Sequence, residues 1–154
     1  MALPNKSNEK ELKKMAKEIP VEQRRIWKMT AEEKKIVEKA ERDGKEFFYI
    51  GHYFDIFGRY VLKPGTTNDL RRRRSEHNAD YKKSPSAQIA DGTYFVYDWF
   101  IPLSKYNTLR IEDRVKDHYK EIGFGVYLDN DRFIFDEKPK SCFVTIRNTY
   151  EITL

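Results

Sequence analysis

The chain predicts an α+β fold, a small mixed or antiparallel sheet flanked by helices. Three observations predict it. Two short strand-like runs, Phe47–Phe54 and Arg59–Leu62, are separated by a turn at 55–58 and imply an antiparallel hairpin. Two capped helical segments and a further aromatic strand alternate after them. The first 45 residues, by contrast, read as helices throughout.

In chain order, Ser7 is placed to cap a helix over 8–17 with Leu12, Met15 and Ala16 as its apolar positions, interrupted by Pro20. A short second helix follows over Val21–Met29. Thr30 with Glu33 three residues on has capping-box spacing, opening a helix that Gly44 stops. Its apolar stripe is thin: Ile36, Val37 and Ala40. Domain organisation is therefore a basic helical extension, 1–45, and a core, 46–154.

Within the core, Pro64 lacks a ladder donor and marks the end or edge of the second strand. Gly65 permits a bend. Asn68 or Thr67 caps a helix over about 69–78, with Asp69 in its positive first turn. Residues 79–92 read as a loop, Thr93–Ile101 as a strand, and Thr108 opens a helix to Glu121 that Gly123 stops. Phe124–Leu128 and Arg132–Phe135 read as short strands, and Cys142–Ile146 with Tyr150–Leu154 complete the sheet.

Charge narrows the partners. Of the net +5, residues 1–45 hold 13 basic against 9 acidic side chains, and residues 59–83 hold 8 against 3. A local cation cluster favours a polyanion. No run of 18 apolar residues exists, so no membrane span is expected. The beginning of the sequence lacks the apolar stretch of a secretory signal, which gives the expectation of an intracellular, cytoplasmic protein. A single cysteine, Cys142, excludes an internal disulfide and a cysteine-built zinc site, and its apolar neighbours make it a core residue.

The densest charge is Arg71-Arg72-Arg73-Arg74, with His77 one turn beyond Arg73 on the same helical face. Four arginines cannot converge on one phosphate, so the group divides between a site and a backbone grip. The order Gly51-His52-Tyr53, then Lys63-Pro64-Gly65, then Arg73 eight residues after Gly65 and His77 four later, resembles the GIY-YIG nuclease family. Glu112, on the later helix, stands where that family carries a glutamate. Lys63 stands where the family's second tyrosine is usual, as in some restriction-enzyme and phage-type branches. The resemblance covers roughly residues 47–130 and implies a β-β-α-β-α nuclease core. The family's late asparagine is Asn130 or Asn148.

What the resemblance implies is a metal-dependent endonuclease acting on double-stranded DNA. Tyr53 would be the general base, Lys63 its activator or that of the water, and Arg73 the phosphate clamp. His77 would relay a proton or hydrogen bond, and Glu112 would hold Mg2+ or Mn2+. Asp113 points about 100° away from Glu112 around the helix, against a paired-carboxylate site. Arg59, Arg71, Arg72, Arg74, Arg24, Arg25 and Lys28 are the expected backbone contacts, and a homodimer would allow both strands to be cut. The competing expectation is a binding module for nucleic acid or protein on a nuclease-like fold, with an assembly protein behind it. His52 alternates to the opposite face of its strand, and His118 reads as a packed helix residue.

Overall fold

A computed structural model describes residues 29–128, 131–137 and 139. The expected helices before Met29, the strands after Phe135, Cys142, Arg24, Arg25, Lys28, Asn130 and Asn148 lie outside the described residues. Among the described residues no helix is long and apolar enough to cross a membrane.

The elements run α1 (Ala31–Arg42), β1 (Glu46–Phe54), β2 (Tyr60–Thr67), α2 (Leu70–Lys82), β3 (Val96–Leu103), α3 (Lys105–Glu121), β4 (Val126–Leu128) and β5 (Arg132–Phe135). All strand pairs are antiparallel, in the order β3-β1-β2-β5-β4. The expected α+β class and β-β-α-β-α order are both present.

Strand alternation divides the core. Phe47, Tyr49 and Tyr53 on one face of β1 join Leu70 and Tyr81 of α2 in a single cluster. Phe48 and Ile50 on the other face pack with Val115 and Tyr119 of α3. Thr30 closes its capping box with Glu33, and Val37 and Ala40 of α1 are buried in the first cluster. The thin apolar stripe is sufficient because it faces one small patch, so residues 30–45 pack as part of the folded unit.

Several boundaries differ from the sequence reading. β2 continues through Pro64 to Thr67, because among the described residues β5 pairs only with Tyr60–Leu62 and leaves the proline where β2 is an edge strand. α2 extends to Lys82, because Tyr81 is drawn into the core. Asp69, not its neighbours, caps α2 by accepting from Arg72 N; Ser104 caps α3, while Thr108 is buried inside the helix.

Candidate functional site

The site forms on the face of the β1–β2 hairpin that α2 covers. Tyr49 lies opposite Gly65, and Gly51 opposite Lys63, so all four residues share that face. Gly65 is needed for space rather than for a bend: a Cβ there would run into the hydroxyl and ring of Tyr49. The missing side chain lets the phenol lie across β2 and reach α2.

There the Tyr49 hydroxyl lies 2.6 Å from His77 Nε2, with both residues buried. Burial pushes the Tyr49 phenol well above the usual tyrosine range, although Arg73, acting on its oxygen as a charge and a hydrogen-bond donor, opposes the rise. Burial, followed by the cations Arg73, Lys63 and Arg132, drives the His77 imidazole down to about 2. A protonated phenol beside a neutral imidazole donates its hydrogen, so Nε2 is the acceptor.

Lys63 is 5% exposed, and its ammonium is 3.7 Å from Asp131 Oδ2. Burial pulls it down to about 8; Asp131 resists, Lys116 adds to the fall, and Glu112 and Arg73 exert smaller opposing effects. Arg73 is partly exposed and pairs with Glu76 at 3.2 Å. Glu112, half-buried on α3, holds Lys116 Nζ at 3.0 Å from Oε2 and is close enough to act on both Lys63 and Tyr49. Lys63, Arg73 and His77 thus lie together from β2 and α2, and Glu112 from α3 acts on Lys63 and Tyr49 through its charge.

Tyr53 is not with them, which corrects the sequence expectation. Its hydroxyl donates to Ala87 O at 2.7 Å and accepts from Arg132 Nη1 at 2.8 Å. Burial raises it to about 12, against the pull of Arg132. With its hydroxyl committed both as donor and as acceptor, this phenol is a structural link. Tyr81 stacks between Tyr53 and His77, with ring centroids 4.6 and 5.2 Å away respectively, and separates the two tyrosines. Sequence reasoning missed Tyr49 because Gly51-His52-Tyr53 supplied the expected glycine–tyrosine spacing; the available signal was that Tyr49, Gly51 and Tyr53 share one strand face.

The expected backbone contacts also divide. Arg71 and Arg72 are exposed, and Arg72 reaches Asn68 Oδ1 at 2.8 Å. Arg74 is buried and donates through Nε to Phe95 O at 2.7 Å, so it ties α2 to the chain entering β3 instead of facing a ligand. Arg59 is held 2.7 Å from Asp55 Oδ2. His52, on the opposite face, lies 2.6 Å from Asp98 and stacks on Tyr60.

Among the described residues no group of three His, Cys, Asp or Glu side chains gathers as a metal cluster. Glu112 is one of three carboxylates at the cluster, with Asp131 at Lys63 and Glu76 at Arg73, and is a hard oxygen donor of the kind a largely hydrated Mg2+ or Mn2+ takes. Its Oε2 is already held by Lys116, which such an ion would have to displace. Comparison of the chain with family models, with curated proteins and with solved structures gave no match.

Proposed function

We propose that the protein is a metal-dependent endonuclease that hydrolyses phosphodiester bonds in double-stranded DNA. The observation that carries the reading is the meeting of Lys63, Arg73 and Glu112 around the buried Tyr49–His77 pair. Phosphodiester hydrolysis requires a held phosphate, a route for the water's proton and a donor to the leaving oxygen.

Arg73 is the phosphate clamp, since its planar fork matches two phosphoryl oxygens and it is the arginine that faces both the site and the exterior. Tyr49 accepts the proton of the attacking water and passes its own hydrogen to His77 Nε2. Burial and then the nearby cations keep His77 neutral, and the negative charge of a bound phosphate offsets the cations, which makes the imidazole a better acceptor. As the water oxygen bonds to phosphorus, the bond to the leaving oxygen breaks and Lys63 protonates that oxygen. A lysine at about 8 is mostly protonated at neutral pH and still gives up its proton readily. Glu112 would hold Mg2+ or Mn2+, which when bound supplies Lewis-acid stabilisation of phosphoryl charge.

The test is cleavage of duplex DNA by the purified chain. Cutting that requires added magnesium or manganese and stops with chelator supports the reading; salt-sensitive binding without metal-stimulated cutting across varied duplexes would overturn it in favour of a binding module.

A further inference from the structure

The turn between β1 and β2 presents a feature that its geometry does not require. Gly58 N donates to Asp55 O at 2.9 Å, and Gly58 has φ 78°, as a tight turn of this kind needs. Asp55 is buried, and its carboxylate accepts from Phe57 N at 3.0 Å, Arg59 N at 2.9 Å and Arg59 Nε at 2.7 Å. The loop before β3 braces the same turn: Ile56 N donates to Gln88 O at 2.8 Å, and Ala90 N to Phe54 O at 2.9 Å.

On this rigid mount the two central positions, which polar or small residues ordinarily fill, are Ile56 and Phe57. They are 52% and 49% exposed, adjacent and directed outward from a tip that cannot fold back. Arg59 sits over the Phe57 ring at 5.4 Å. About half of each apolar side chain is nevertheless left in water, a solvation cost at the tip of the turn.

The surroundings identify what the tip meets. Ile89 bridges Asp55 and also donates from its N to Tyr81 O at 3.0 Å, so the base of the tip abuts the C-terminal end of α2. Exposed Lys82 and Lys83 stand there, while exposed Arg71 and Arg72 stand at the helix's other end. Eleven residues separate Arg71 from Lys82 and Arg72 from Lys83, which returns each pair to nearly the same helical face, about 16 Å apart along the axis. A cation pair at each end of one helix complements a phosphate backbone running along α2, with Arg73 about 100° further round from Arg72 at the edge of that face. Roughly 20–25 Å of strand separates Tyr49 from the tip.

We infer that Ile56 and Phe57 form an apolar wedge that enters a groove of the bound duplex and unstacks a base step at a distance from the hydrolytic site. The substrate is then a duplex that can be kinked, and flexible pyrimidine–purine steps accept the wedge most readily. The inference rests on the proposed action on DNA, and its test separates the two.

The full-length chain, in chelator so that nothing is cut, is mixed with duplexes carrying 2-aminopurine beside successive TA and CA steps. Anisotropy reports binding, and 2-aminopurine fluorescence reports unstacking. The expected result is a severalfold rise in fluorescence at a subset of positions with wild type, retention of the rise with Phe57→Leu, and its loss with Ile56→Ser/Phe57→Ser while binding persists. Circular dichroism confirms that the exposed substitutions leave the fold intact. Binding without a rise at any position, or an equal rise with the serine variant, would overturn the wedge and leave the DNA reading standing. Absence of binding overturns both. A wild-type dimer that the serine substitutions dissociate, with no fluorescence change on DNA, assigns the tip to a second copy of the chain and also overturns the wedge.

Discussion

The Tyr49 hydroxyl meets His77 Nε2 at 2.6 Å across a gap that exists because residue 65 has no side chain. That contact links the hairpin to α2 and aligns the phenol with Arg73. Gly65→Ala puts a methyl group where the phenol lies, and a crowded core yields at a cost of about 1–3 kcal/mol. We expect denaturant unfolding to show that loss, with cleavage falling further than the fraction unfolded explains because Tyr49 is moved from His77.

The two tyrosines of β1 separate chemistry from stability. Tyr49→Phe keeps the ring and removes the proton route, and cleavage should fall by roughly 10²–10³ with DNA affinity nearly unchanged. Tyr53→Phe removes the bond from Arg132 Nη1 and the one to Ala87 O. It should cost about 1–3 kcal/mol in a melt while retaining the wild-type rate per folded molecule. Equal rate losses in both variants would contradict the relay.

Lys63 gives a pH dependence of definite sign. Its folded value, about 8, lies below the ordinary 10.5, so between these values the unfolded chain binds more protons and stability rises with pH. Lys63→Met removes the penalty: below pH 8 it should be more stable than wild type by on the order of 1–3 kcal/mol, and the gap should close by about pH 10.5. The rate should move the other way. Wild-type cleavage falls as pH passes about 8 and the general acid is lost, and the methionine variant is slow with no such limb.

His77 sets the acid limit. Its folded value near 2 lies below the ordinary 6.5, so the stability it contributes is present above pH 6.5 and is lost as pH falls below that value. His77→Gln should flatten the acid side of a stability-against-pH curve between pH 6.5 and 4, read by denaturant midpoints.

The four arginines should part company. Arg71→Ala and Arg72→Ala should leave stability within about 0.5 kcal/mol of wild type, and each should reduce the salt slope of DNA binding by about 1. Arg74→Ala loses the bond to Phe95 O and should instead destabilise by about 1–3 kcal/mol.

The sheet and helix order were legible because strand pairs and caps are local signals: Thr30 with Glu33, the aromatic run of β1, the turn at 55–58. Lys63, Arg73, His77 and Glu112 were legible as a spaced set that the fold then gathers. What escaped depended on contacts between distant segments. Tyr49 and Tyr53 are equivalent in strand alternation, and only the gap over Gly65 and the stack of Tyr81 distinguish them. Arg74 reads like its neighbours until Phe95, twenty-one residues on, offers its carbonyl. Pro64 within a strand is acceptable only because β5 ends its pairing at Leu62.

The most direct test compares wild type with Glu112→Ala on one duplex, measuring binding by anisotropy in chelator and single-turnover cleavage in magnesium. The account predicts that the variant binds with nearly wild-type affinity and does not cut. Equal cleavage by the two proteins would contradict it.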